Sequence, residues 1–211
     1  MIKTDPTKVQ DFFESSHKKL SLNEDRKDLL INIADKIAEV YQSSNQNVSV
    51  NFICTHNSRR SQLGQVWTYF ASKYFDLNIN AYSGGTEVTA FHRNTVQTLK
   101  QTGFIFNVKE FSHQNPVYEI YFDKAQDCIL GFSKIFDNPT NKAPYIAVTT
   151  CNSADENCPF IAEAIHRFHL PYTDPKYADN TLEQDDAYLK TNKEVASEIY
   201  FIFDRVKSLI S

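Results

Sequence analysis

The sequence predicts an α/β fold layered around a mainly parallel sheet. Three observations lead there. Short β-rich apolar runs occur at 48–54, 78–83 and 145–151, amphipathic helical repeats lie between and after them, and polar turn residues mark the junctions. With 211 residues the chain can bury one sizeable core.

Taken in order, residues 1–20 are polar with scattered aromatics and read as a loosely attached arm. Ser21 to Glu24 has the form of a capping box, in which a hydroxyl closes the helix start and a carboxylate answers it. Leu29, Leu30, Ile33, Ile37, Val40 and Tyr41 then repeat at helical spacing. We place an N-terminal helical extension at 1–47 and the main domain at 48–211. VSVNFIC (48–54) reads as a buried strand, THNSRR as a turn, and Leu63, Val66, Trp67, Phe70 and Tyr74 as one face of a helix. NINAYS (78–83) is a second strand ending at Gly84-Gly85, and a helix over about 89–101 carries Phe91, Val96 and Leu99. The stretch 104–137 alternates aromatic and polar residues like an antiparallel hairpin, an insertion over about 115–140. YIAVTTC (145–151) is a further buried strand and RFHLPY (167–172) a last short one. A long helix fills about 181–209, with Ala196, Ile199, Phe203, Val206 and Ile210 inward.

Composition narrows the function classes. Net charge is −4 with no long basic run, which argues against nucleic acid, whose phosphates call for a basic stripe. No stretch approaches the roughly 18 apolar residues of a membrane helix. The first residues carry no apolar signal-peptide core, so a cytoplasmic location is expected. The four cysteines are Cys54, Cys128, Cys151 and Cys158. In a cytosolic chain of this size they read as catalytic or redox groups rather than structural bridges. A zinc site wants paired ligands at short spacing, and Cys151 and Cys158 are seven positions apart with no second pair near, so no metal is expected. Cys128 lies in an apolar run and reads as a core residue.

The segment Cys54-Thr55-His56-Asn57-Ser58-Arg59-Arg60-Ser61 joins a buried strand to a helix. Backbone N–H groups of a tight loop and a helix N-terminus together form a site for a tetrahedral anion. Arg60 would grip two oxygens through its planar fork. The same positive surroundings favour the Cys54 thiolate, the form that attacks. Ser61 could donate its hydroxyl to that sulfur, and Asn57 suits a left-handed backbone position. The plainer reading of Cys54 is a small buried residue at a strand end. His56 and Arg59 read more simply as solvated loop residues than as direct participants.

CTHNSRRSQ (54–62) resembles the active loop of low-molecular-weight protein tyrosine phosphatases and of the thioredoxin-coupled arsenate reductases built on that fold: Cys, five residues, Arg, then Ser. Both groups carry a downstream Asp-Pro pair that supplies the general acid, matched here by Asp174-Pro175. VTTCNSADENCP (148–159) is similar to the redox segment of the reductases alone, with Cys151, Cys158 and Pro159 in its places and Ala154-Asp155 also fitting. The resemblance covers roughly residues 48–206. It implies a three-layer α/β/α domain with a mainly parallel four-stranded sheet, and an enzyme without cofactor that reduces arsenate to arsenite. It further implies a relay in which Cys54 attacks arsenate held by residues 55–61, Asp174 protonates the departing oxygen, and the disulfide passes from Cys54–Cys151 to Cys151–Cys158, where thioredoxin reduces it. The N-terminal helix and the hairpin look like additions. Gln65 stands where the family often has a carboxylate ligand for a monovalent cation, and Lys176-Tyr177 replaces the tandem tyrosines that often follow Asp-Pro in the phosphatases.

Two other readings remain open. A phosphatase acting on phosphotyrosine or aryl phosphates would use Cys54, Arg60 and Asp174 but not Cys151 or Cys158. A non-enzymatic anion-binding or redox-sensing module would use the same loop, acting through the added helix and hairpin. The relay also demands that 150–160 move, with NSADEN (152–157) as its hinge, because two sulfurs must come within bonding contact.

Overall fold

The computed structural model describes residues 6–123, 127–157 and 160–211. Its order of elements is α1 (Pro6–His17), α2 (Glu24–Ser43), β1 (Val48–Cys54), α3 (Arg60–Tyr74), β2 (Ile79–Gly85), α4 (Arg93–Gln101), β3 (Ile105–Glu110), β4 (Val117–Tyr121), β5 (Ile129–Gly131), β6 (Tyr145–Thr149), α5 (Asn152–Asn157), β7 (Ala164–His169), a 3₁₀ turn (Pro175–Ala178) and α6 (Gln184–Ile210).

The main sheet has four strands in the order β2-β1-β6-β7, with every pairing parallel. Its two central strands, β1 and β6, are buried on both faces, which explains their near-continuous apolar runs. Period-2 alternation divides their side chains as far as Ile53, and Cys54 at the end of β1 departs from it. Val48, Val50, Phe52, Ile146 and Val148 join the large core under the long helices, while Ile53, Cys54, Tyr145 and Ala147 join a smaller cluster with Cys151, Ala154 and Ile161 on the opposite face. The catalytic-loop candidate therefore begins at a seam between two packed layers.

Three local expectations are corrected. Residues 6–17 are no loose arm: α1 docks through Val9 and Phe13, both fully buried. Phe13 stacks on Trp67 with ring centroids 5.4 Å apart and packs edge-on against Phe70, contacts worth about 0.5–1.5 kcal/mol each beyond their area. The scattered aromatics are one face of this helix. The cap of α2 is Asn23, whose side chain accepts from the Arg26 amide at 2.8 Å, rather than Ser21. The Arg26 guanidinium then forks onto Glu198 of α6 at 2.7 and 2.8 Å, fixing α2 against the long helix. The alternating stretch 104–137 is a three-stranded antiparallel sheet, β3-β4-β5, because Ile105–Glu110 adds a strand to the expected hairpin.

Smaller shifts follow element ends. The last strand is Ala164–His169 and not 167–172. NSADEN forms the six-residue helix α5. Cys128 is half-buried just before β5 and is not a core residue.

Candidate active site

β1 runs out at Cys54, and the chain turns through residues 55–59 into α3, whose first residue is Arg60. Phe52 and Gly64 show why the helix can start so close to the strand: a Cβ on Gly64 would lie 2.5 Å from the Phe52 ring. At the turn, Asn57 takes φ 46°, the left-handed region its short amide side chain tolerates. Its Nδ2 donates to Ser61 Oγ at 2.9 Å, and its Oδ1 accepts from the Lys134 amide at 3.0 Å.

The carbonyls of this loop are taken up by donors from the surrounding segments. Cys54 O accepts from the Thr86 amide, and Thr55 O from the Glu87 amide and the Thr86 hydroxyl. The hydroxyls of Thr89 and Ser133 reach His56 O, Gln62 Nε2 reaches Asn57 O at 3.0 Å, and the His92 amide reaches Ser58 O at 3.0 Å. In a trans peptide the N–H points opposite to the C=O, so the loop amides turn to the inner side. Among the described residues none of the amides of 55–60 is consumed by an internal hydrogen bond. The result is a run of free donors leading into the N-terminus of a 15-residue helix, an arrangement whose chemistry suits an oxyanion. Gly85 closes the outer wall: a Cβ there would lie 2.7 Å from Thr55 O.

Cys54 Sγ lies at the base, 3.1 Å from Ser61 Oγ, and the residue is 3% exposed. The hydroxyl of Ser61 takes a hydrogen bond from Asn57, which leaves its own proton for the sulfur. Arg60 reaches over the same loop. Its Nη2 donates to Asp174 Oδ2 at 2.5 Å and its Nη1 to Tyr172 O at 3.2 Å, while its buried Nε has no partner among the described residues. An orphaned charged donor beside free amides is a ready contact for anion oxygen. Asp174 also caps the 3₁₀ turn, its Oδ1 accepting from the Lys176 amide at 3.0 Å, so its carboxylate is held at the loop from two sides.

Cys151 follows β6 as Cys54 ends β1, and the two strands are neighbours in the sheet. Thr150 N donates to Ile53 O at 2.7 Å, and the Thr55 hydroxyl lies 3.5 Å from Cys151 Sγ. Cys151 is 5% exposed and shares a buried cluster with Cys54. A second sulfur thus abuts the anion loop. Cys158 and Pro159 lie outside the described residues.

The remaining loop side chains turn elsewhere. Ser58 Oγ donates to Ala90 O, and half-exposed His56 faces Glu87 at 3.4 Å. Arg59 is buried and points away, to Tyr188 OH at 2.5 Å and Asp179 Oδ2 at 2.6 Å, so only its amide faces the loop interior. Hydrogen bonding from Tyr188 and the Arg59 charge lower the Asp179 carboxyl in spite of burial, and burial pushes the His92 imidazole down. Lys134, on the wall behind Asn57, is 4% exposed, and burial pushes its ammonium down to about 8. Sequence reasoning missed Asp179, Tyr188, His92 and Lys134; their link to the loop spans up to 129 positions and leaves no local signal.

No protein-family model matches the chain. An arsenate reductase of Brevibacillus brevis is 30% identical over 127 residues, covering 60% of this chain and 76% of that protein. The arsenate reductase of Bacillus subtilis strain 168 is 27% identical over 145 residues, 69% of this chain and 86% of that protein. Among solved structures, a YwlE mutant from Bacillus subtilis superposes with TM-score 0.53 at 14% identity, over 76% of this chain and 99% of that one. The YwlE arginine phosphatase mutant with a phosphorylated active-site serine gives TM-score 0.51 at 12% identity, over 76% and 96%. At such identity the likeness is of fold: a four-stranded parallel sheet with this loop at its edge is the low-molecular-weight phosphatase architecture. The sequence relatives narrow it further, and the chain belongs to the arsenate reductase family.

Proposed function

We propose that this enzyme reduces arsenate to arsenite through a cysteine relay, in the cytoplasm, with thioredoxin as the reductant. The observation that carries the reading is the second sulfur: Cys151 lies against the anion loop, within 3.5 Å of the Thr55 hydroxyl, at the end of the strand beside that of Cys54. Hydrolysis of a phosphate ester has no use for it.

The oxyanion sits on the amides of 55–60 with Arg60 on its oxygens. The Cys54 thiolate attacks arsenic, and an oxygen leaves as water after taking a proton from Asp174. The Cys151 thiolate then attacks the Cys54 sulfur. The sulfur–arsenic bond breaks with its electron pair going to arsenic, which falls from As(V) to As(III) and departs as arsenite, leaving a Cys54–Cys151 disulfide. Cys158 attacks Cys151, freeing Cys54 as thiolate and moving the disulfide to Cys151–Cys158. A dithiol of the thioredoxin type restores both thiols. The roles of Cys158 and of thioredoxin rest on the resemblance of 148–159 to the reductase redox segment.

A phosphatase is the second reading, favoured by Asp174 standing at the loop beside Arg60. One experiment separates the two. Arsenite production with a thioredoxin system and hydrolysis of an aryl phosphate are measured for wild type, Cys54→Ser and Cys151→Ser. The reductase reading expects Cys151→Ser to abolish arsenite turnover and spare any hydrolysis, and Cys54→Ser to abolish both. Hydrolysis without arsenite production in the wild type would hand the case to the phosphatase.

A further inference from the structure

The two consecutive arginines of the loop reach opposite ends of one short segment. Arg60 bonds Asp174, which opens the 3₁₀ turn Pro175–Ala178, and Arg59 bonds Asp179, which closes it. Arg59 spends its side chain entirely on this second contact. Its Nε donates to Tyr188 OH at 2.5 Å, its Nη2 to Asp179 Oδ2 at 2.6 Å, and Tyr188 OH in turn donates to Asp179 Oδ1 at 2.8 Å. The triangle is mostly dry, with Arg59 and Tyr188 buried and the Asp179 side chain 18% exposed, and it extends to Asn94 Nδ2, which donates to Asp179 Oδ1 at 3.2 Å, and to His92 Nδ1, 3.1 Å from Tyr188 OH. Charge-assisted bonds of this geometry in a sheltered site are the strong kind, and losing one partner strands the other.

We propose that Arg59 is a positioning residue for proton transfer: with Arg60 it clasps both ends of the 174–179 turn, so that the Asp174 carboxyl is held over the anion loop. The inference rests on the reading of Asp174 as general acid. Without Arg59 the far end of the turn would keep only the neutral hydrogen bonds from Tyr188 and Asn94 to Asp179 Oδ1 and would lose its charge-assisted anchor, so the turn would loosen about Asp174 and the carboxyl would lose orientation toward the departing oxygen. General acid catalysis depends on that placement within hydrogen-bond reach. Oxyanion binding uses the loop amides and Arg60, and is left intact by an Arg59 side-chain change. The signature is a loss in kcat with little change in KM.

The test uses the full chain and four variants: Arg59→Met, Asp179→Asn, Asp174→Asn, and Arg59→Met combined with Asp174→Asn. Asp179→Asn is near-isosteric and serves if Arg59→Met folds poorly. Turnover is followed as arsenite production and as aryl phosphate hydrolysis, phosphate affinity by calorimetry, and amide exchange over 175–181 by mass spectrometry. Arg59→Met and Asp179→Asn are each expected to lower kcat about 10–100-fold, to leave KM and phosphate affinity within about twofold, and to speed exchange across 175–181. In the Asp174→Asn background Arg59→Met should cost less than about twofold more, because a single function has already been lost. Unchanged kcat, a full additive loss in the double variant, or a parallel fall in phosphate affinity would each overturn the clasp. A wild type that hydrolyses aryl phosphate without making arsenite would remove the reductase reading, and the same variants would still judge the clasp in the hydrolysis assay. A wild type inert in both assays, or an Asp174→Asn variant with full activity, would overturn the clasp together with the general-acid role.

Discussion

Two segments of this molecule set a cysteine at or just past the end of a central strand, and they are built in opposite ways. The loop at 54–61 is over-determined: each carbonyl from Cys54 to Ser58 has a donor, and Asn57 and Ser61 bond each other. The segment that begins at Cys151 is a single short helix of six residues, α5, followed at Phe160 by a side chain 80% exposed. A helix that short does not hold itself together. The first segment must keep its donors fixed while charge develops on bound oxyanion, because preorganised dipoles cost no rearrangement during reaction. In the proposed relay the second delivers a sulfur and then lets it leave. Rigidity and looseness are divided between the ends of two neighbouring strands.

The comparison breaks hardest if the loop proves soft. Asn57→Ala removes the amide that ties Ser61 and the Lys134 backbone, and places a Cβ residue less suited to φ 46°. We expect kcat/KM to fall about 10²–10³-fold, the scale of losing a fixed oxyanion donor. Stability should fall by about 1–3 kcal/mol, since the Lys134 amide loses a buried acceptor. Steady-state kinetics and urea unfolding measure the two. A variant with wild-type kcat/KM would mean the loop geometry is set elsewhere.

Lys134 sharpens the same point from the wall of the loop. The buried ammonium titrates near 8, below its ordinary value, so the folded state holds that proton less tightly than the unfolded chain. Between about pH 8 and 10.5 the unfolded state binds more protons, and stability from this group rises with pH. Below pH 8 the cost is paid in full. Lys134→Met should therefore stabilise the protein by about 1–3 kcal/mol at pH 7, with the gain shrinking towards pH 10. Equal stability at pH 7 would show that the ammonium is better solvated than its surroundings suggest.

What the sequence made legible follows from range. β1 and α3 were readable because each carries its own periodicity, and Cys54, Asn57, Arg60 and Ser61 because strand, turn and helix are consecutive. The placement of Asp174 and Cys151 beside the loop could be expected only through a family pattern, since nothing local distinguishes Asp-Pro from a turn or a cysteine after a strand from a packing residue. Arg59 was ambiguous for the same reason: its partners are Asp179 and Tyr188, distant in the chain. The docking of α1 was hidden because its apolar face is narrow, with Val9 and Phe13 doing the burying among polar neighbours. In each case the missing term was a tertiary partner.

The smallest expected effect tests the loose segment. Asp155 on α5 accepts from the Thr149 hydroxyl at 2.7 Å and from Arg167 Nη2 at 2.5 Å, with His169 Nδ1 at 3.5 Å, and this carboxylate pins α5 to the ends of β6 and β7. Arg167 also reaches the Asp155 carbonyl at 2.7 Å, a bond the side chain does not supply. Asp155→Ala thus weakens the attachment without abolishing it. The clamp is partly exposed, so its loss should ease local opening by only about 1 kcal/mol, a fivefold change in the open population. Alkylation of Cys151 should quicken about fivefold while that of Cys54 keeps its wild-type rate, both read from modified peptides by mass spectrometry. Equal acceleration at both thiols would show that loop and segment open as one unit, and the division between a fixed cup and a movable sulfur would fall. No change at Cys151 would locate its restraint in the buried contacts with Ile53 and Thr55 instead.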